Sequence, residues 1–280
     1  MSVHGKGSKL SAASAGSHSQ PLLQALEASI LPDLLDRYLG THSSAQPAPD
    51  TPSQIALSRS TTSAEQDAFV GLLVDESEDA ALGKVLELRR QGVPDQTLLL
   101  DVLAPASIRL GELWEEDLRS FSEVTIGVCR LHRILRALHP TDQRALDQQA
   151  HGGRAALLAA PGEQHAFGML LVSELMFRAG WYVDVELDTQ LDAAGELVQR
   201  NWYELVGVSV SGVTCIDAAA KLIKQLRRRS CNRDVVILAG GNLFIDNPSL
   251  GADLGADQVV TDSVELARIM SANVPSRQIS

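Results

Sequence analysis

A chain of 280 residues has room for two folded units and is short for three, and its 45% apolar and 21% charged residues match a water-soluble globular protein. A formal charge of -11 works against free-standing nucleic-acid binding, which needs a clustered positive surface. Cys129, Cys215 and Cys231 are odd in number and lack C-x-x-C spacing, so neither a disulfide framework nor a cysteine zinc site is expected. Aromatics are only 4%, so small aliphatics must fill the core. No run of about 18 apolar residues occurs, and the start MSVHGKGSKLSAASAG lacks an apolar leader segment; the expectation is a soluble cytoplasmic protein.

Residues 1–63 hold thirteen serines and Pro47, Pro49 and Pro52, a composition that predicts a largely disordered arm. Within it, apolar residues recur at helical spacing over 22–39 despite Pro32, which suits either a short helix packed on the body or a docking helix for a partner. Over 64–140 the pattern is helical. Leu99, Val102, Leu103, Ala106, Leu110 and Leu113 share one apolar face; Val124, Val128, Leu131, Leu135 and Leu138 share another. Short connections make a four-helix bundle the simplest packing, ended by Pro140 and a polar linker over 141–153.

From 154 to 273 the period changes, leaving a short tail at 274–280. Apolar runs at 155–159, 182–187, 205–210, 235–239 and 258–260 alternate with helical stretches, which predicts a doubly wound, five-stranded parallel α/β sheet. With the flavodoxin-like order 2-1-3-4-5, the ligand crevice lies at the C-terminal ends of the first and third strands. The cationic run Lys221, Lys224, Arg227, Arg228, Arg229 and Arg233 reads as the solvated end of a helix, the less favoured alternative being a phosphate site.

The unusual residues fall at the predicted strand ends. Pro161-Gly162-Glu163-Gln164-His165-Ala166-Phe167-Gly168 follows the first strand; Ser209, Ser211, Gly212 and Thr214 follow the third; Gly240-Gly241-Asn242 follows the fourth. A carboxylate two residues before a histidine can hold one imidazole nitrogen and leave the other for a metal. Glycines after a strand permit close approach of a bulky ligand. Set against this, His165 could be a surface or structural histidine, Glu163 a carboxylate favoured at a helix start, and the serines ordinary strand-end residues. No G-x-G-x-x-G follows the first strand, against a dinucleotide fold, and serine ends the third strand where a phospho-receiver has aspartate.

The run Glu163-x-His165-x-x-Gly168, then Ser209-x-Ser211 and then Gly240-Gly241, resembles the D-x-H-x-x-G, S-x-L, G-G signature of base-off, His-on cobalamin-binding domains. The resemblance implies His165 as the lower cobalt ligand and Glu163 as its orienting partner. It also implies Ser209 and Ser211 beside the displaced nucleotide tail and Gly240 and Gly241 as the opening for it, with Gly168 and Thr214 among the cofactor-binding residues. Glu163 for aspartate and Ser211 for leucine depart from the pattern.

Leu110-Gly111-Glu112-Leu113-Trp114 is similar to the G-x-L-W segment of the helical cap over the upper face of cobalamin in methionine synthase and CarH-type photoreceptors. Trp114 would shield that face, unless it is one more buried core aromatic. The photoreceptors' upper-face histidine and Glu-His pair correspond here to Glu115, Val124 and Thr125. The string from Trp114 to Gly127 instead resembles the AerR/PpaA-type antirepressors of photosynthetic bacteria, and the likeness covers about 64–273. It implies a non-enzymatic, light-responsive regulator that binds hydroxocobalamin or a photolysed adenosylcobalamin product and acts on a repressor of the CrtJ/PpsR type. The alternative is the corrinoid carrier of a methyltransferase system. His132 and His139 are expected at the surface or in a satisfied core, and His4, His18, His42 and His151 in flexible sequence.

Overall fold

The structure, a computed structural model, describes residues 63–77, 79–140 and 153–273. The expected arm with its 22–39 helix, most of the linker and the tail lie outside the described residues.

Four helices come first: α1 (Ser63–Val74), α2 (Ala80–Arg90), α3, and α4 (Phe121–Leu138). Helix α3 runs without a break through Asp95–Thr97, Leu98–Leu103 and Ala104–Glu115, and its middle segment is a π-helix. The cause is Pro105. It has no N–H for the Asp101 carbonyl four residues back, and the chain passes this point by widening, with the Ala104 N–H donating to the Leu99 carbonyl. The wider turn brings Leu98, Leu99 and Leu103 together on the buried face. Helix α3 ends with Asp117 at φ 56°, where the Leu118 N–H reaches the Leu113 carbonyl and the Asp117 N–H reaches that of Trp114, a Schellman stop. Helix α4 starts on a capping box in which Ser120 and Glu123 serve each other's backbone. Between these two signals Arg119 grips Asp75 at 2.6 and 2.7 Å and Glu123 at 2.9 Å, fixing the α3–α4 turn against the end of α1.

Helix α4 buries Leu131, Ile134, Leu135 and Leu138 and packs against α1, α2 and α3. A Cβ on Gly127 would lie 2.9 Å from Leu110, so this glycine sets how closely α4 approaches α3.

The remaining elements are β1 (Arg154–Ala159), α5 (Phe167–Arg178), β2 (Tyr182–Glu186), α6 (Leu191–Arg200), β3 (Leu205–Ser209) and α7 (Ile216–Arg229). They are followed by β4 (Val236–Gly240), the short helices α8 (Leu243–Asp246) and α9 (Leu250–Asp253), β5 (Gln258–Val260) and α10 (Ser263–Ala272). The five strands are parallel, in the order β2-β1-β3-β4-β5. Strand residues alternate between two cores. Ala156, Leu158, Val206, Val208 and Ile237 pack towards α6 and α7; Ala155, Leu157, Leu205 and Leu238 pack towards α5 and α10. Both faces are therefore covered, which is why the strands read as continuous apolar runs. The fold is the flavodoxin-like α/β sheet preceded by a helical part. The cationic run ends α7, where Arg227 bonds the Val235 carbonyl and Asp257, while Lys221, Lys224 and Arg228 are exposed.

The helical part packs on the α/β part through α3 and α4 against α5. Helices α4 and α5 run in the same direction, because His132 meets Phe167 edge-on at 5.2 Å and, seven residues on, His139 meets Glu174 at 2.7 Å. Burial lowers the His132 pKa to about 4 from 6.5. Between those values the unfolded chain takes up a proton that the folded chain refuses. Stability is thus full above pH 6.5 and falls as pH drops towards 4, by up to about 3 kcal/mol. Denaturant titrations across that window should show His132→Leu lacking this part of the acid loss; slopes identical to wild type would mean that His132 titrates normally.

Candidate functional site

The site is built at the C-terminal edge of the sheet, where the register sets Ala159, Ser209 and Gly240 side by side. Strand β1 leads to β2 on one side and β3 lies on the other, so the crevice opens at the point where the winding reverses. The ends are sewn together by the Ala160 N–H to the Ser209 carbonyl at 3.0 Å and the Val210 N–H to that of Gly240 at 2.8 Å.

The loop after β1 turns back over this edge for a local reason. Pro161 and Gly162, the latter at φ 86°, occupy the centre of a turn closed by the Glu163 N–H on the Ala160 carbonyl at 2.8 Å, the sequence and bond pattern of a type II turn. Cys215, buried, lies under it, 3.8 Å from where a Gly162 Cβ would be. The turn delivers Glu163 into the crevice.

The Glu163 side chain is 2% exposed, yet both carboxylate oxygens are satisfied. Oε1 accepts from the Gln164 and His165 N–H groups, each at 2.8 Å, and from His165 Nδ1 at 2.9 Å; Oε2 accepts from the Ser211 N–H. Burial pushes the Glu163 pKa up, but the bonds from His165 and Ser211 outweigh it and hold the carboxyl below the usual range. It is therefore an anion at neutral pH. A carboxylate at Nδ1 keeps the proton there and leaves the imidazole lone pair at Nε2. The His165 side chain is 67% exposed, so the buried group orients and the exposed group presents. This arrangement can offer one neutral nitrogen donor to a metal already held by other ligands. Among the described residues no group of three or more His, Cys, Asp or Glu could hold an ion by itself.

Of the other expected residues, Ser209 ends β3, Ser211 lies just beyond it and is tied to Glu163, and Thr214 is exposed on the 3-10 turn Val213–Cys215. Gly168 is the second residue of α5, exposed, with nothing within 4 Å of a Cβ position. These residues, with Gly240 and Gly241, gather at one edge of the sheet. Trp114 stands in the helical part, on the last turn of α3, and its 41% exposure rules out a buried core aromatic. Glu115, where the photoreceptors have the upper-face histidine, is exposed, and the Thr125 hydroxyl donates back to the Phe121 carbonyl.

Two side chains at this edge escape a reading by motif. Val213, 69% exposed on the 3-10 turn after β3, and Ile245, 56% exposed on the short helix α8 after β4, project from the connections that follow these strands. An apolar residue in a strand-end loop, where polar residues are usual, was the available signal.

The two adjacent glycines differ. A Cβ on Gly240 would sit 3.4 Å from the Val260 carbonyl, a tight but tolerable contact. Gly241 has φ 119°, and its Cβ would lie 2.3 Å from the Val210 carbonyl oxygen, inside the backbone of the β3 loop. A bulky residue at Gly241 therefore damages the loop itself, so clean obstruction of a ligand path is expected only at Gly240. Gly241→Ala should cost about 1–3 kcal/mol in denaturant unfolding and Gly240→Ala less; equal costs would show that the Gly241 backbone relaxes freely.

Residues 153–268 match the B12 binding domain family. A protein of Rhodobacter capsulatus described as an uncharacterized 20.5 kDa protein in the bchF-crtJ intergenic region is 28% identical over 176 residues, covering 63% of this chain and 91% of that protein. Among solved structures, the monomethylamine corrinoid protein of Methanosarcina barkeri superposes with a TM-score of 0.59 at 18% identity, over 73% of this chain and 93% of that one, a likeness of fold. The B12 binding domain match over 153–268 and the likeness to this bacterial relative both agree with the cobalamin-binding resemblance carried by the loop and cap sequences.

Proposed function

We propose that this chain binds cobalamin with His165 beneath the cobalt and acts as a regulator, an antirepressor that engages a repressor of the CrtJ/PpsR type. The observation that carries the ligand reading is the buried Glu163 carboxylate holding His165 Nδ1 at the crevice between β1 and β3. A single imidazole suits a metal that arrives chelated in a macrocycle. When bound, the corrinoid supplies a cobalt centre whose upper ligand can be exchanged or cleaved by light. The chain orients His165, keeps its proton at Nδ1, and offers Val213 and Ile245 as apolar contacts for a large ring. Ser209 and Ser211 contact the nucleotide tail, Gly240 and Gly241 leave its opening, Gly168 and Thr214 belong to the same cofactor-binding edge, and Trp114 shields the upper face. The regulatory half of the proposal is supported by the relative's gene position between bchF and crtJ. Among the described residues no helix is long and apolar enough to cross a membrane.

A second reading is a corrinoid carrier of a methyltransferase system, favoured by the fold shared with the monomethylamine corrinoid protein. The two readings separate on light and on partner. Apo-protein is mixed with adenosylcobalamin in darkness, with the same mixture after illumination, and with hydroxocobalamin; retained corrin and binding to a purified CrtJ/PpsR-type repressor are then measured. Greater retention and repressor binding in the last two samples supports the antirepressor. Equal behaviour in all three, with no repressor bound, favours the carrier.

His165→Ala should abolish the visible spectral change that accompanies hydroxocobalamin binding, and Glu163→Gln should weaken affinity about 10–100-fold. Identical spectra and affinities for wild type and His165→Ala would sink the ligand assignment.

A further inference from the structure

Helix α5 is held at both ends by a buried carboxylate paired with an imidazole. Just before its N-terminus stand Glu163 and His165. Near its C-terminus, the Glu174 side chain is 1% exposed and accepts from His139 Nδ1 and from Arg178 Nε, each at 2.7 Å. Arg178 continues into the helical part of the chain, bonding Asp95 at 3.0 Å and the Leu138 carbonyl at 2.5 Å, and Asp95 is also held by Arg89 at 2.9 Å. The His139 ring stacks on Phe177 at 4.8 Å.

The cluster joins α2, α3 and the end of α4 to a single turn of α5. Two guanidiniums balance two carboxylates, and removing one partner would leave a buried charge uncompensated. At the other end of the same helix His132 of α4 rests on Phe167, two residues from His165. Seven residues separate Phe167 from Glu174, about 10 Å along a rigid rod.

We infer that Glu174, Arg178 and His139 are positioning residues: they clamp the helical part to α5, and through α5 they set the loop from which His165 reaches. Displacement of the helical part would then alter lower-face ligation, and loss of that ligation would loosen the clamp. The inference rests on the His165 reading above.

Full-length Glu174→Gln, His139→Ala, His139→Gln and the control Arg227→Gln, whose ion pair with Asp257 involves neither α4 nor α5, would be compared with wild type and His165→Ala. Hydrogen exchange on the apo-proteins reads the clamp; hydroxocobalamin affinity and the histidine-ligated visible spectrum read the coupling. Glu174→Gln and His139→Ala should speed exchange about tenfold in α5 and the end of α4, leave β1 and β3 protected, and weaken hydroxocobalamin about tenfold. His139→Gln, which keeps a donor for Glu174, should recover most of both, and Arg227→Gln should change neither. Unchanged exchange and affinity in Glu174→Gln would overturn the inference, as would exchange rising equally through the sheet, the mark of ordinary destabilisation. If His165→Ala matches wild type in spectrum and affinity, the ligand reading itself has failed and the coupling falls with it, whatever the Glu174 variants do.

Discussion

The Glu163 carboxylate is the constraint on which the site depends. Its two oxygens take four N–H donors from two loops, three from the turn after β1 and one from Ser211 after β3, so one buried side chain locks together the two sides of the crevice. A buried anion is costly unless its lone pairs are filled, and here they are filled by the groups that must be positioned. The related signature has aspartate at this place. The extra methylene of glutamate lets the carboxylate hold its own loop and still reach the Ser211 N–H, so the departure is compatible with the same role.

The sheet was legible because its strands are buried on both faces. The apolar runs announced each strand to within a residue or two, and the flavodoxin-like order 2-1-3-4-5, taken as a premise for placing the crevice, is the order the sheet has. The Glu163-x-His165 spacing was legible for a different reason, since a carboxylate two residues away on a turn has few partners other than the imidazole. What sequence could not convey is contact between distant segments. Nothing in the string marks Ser211 as the second tether of Glu163, forty-eight positions away, or Glu174 as the partner of His139. The π-turn had a visible cause in Pro105, but a helical apolar pattern passes through it almost unbroken.

Histidines 132 and 139 fall within the expected alternatives of surface or satisfied core, but residue type alone does not name their partners. Both sit on or next to α4 and read as surface or satisfied core. Both are partnered with α5, His132 by an aromatic edge and His139 by a buried carboxylate and a stacked ring. The sequence signal for such a junction is weak because one imidazole serves equally well as solvated, core or ligand.

Helix α5 thus carries the same device twice. At each end a nearly inaccessible glutamate is kept ionised against its own burial by hydrogen bonds, one of them from an imidazole. The two pairs differ in what the imidazole does next: His165 is 67% exposed, whereas His139 is 18% exposed and stacked on Phe177. A ligand must remain available, and a clamp must not. Burial of the carboxylate fixes geometry in both cases, and exposure of the histidine decides whether that geometry is offered to a metal or kept to join two parts of the chain. Glu174 lies on this helix of twelve residues and the Glu163–His165 pair on the turn that leads directly into it, which is the route by which a movement of the helical part would reach the imidazole.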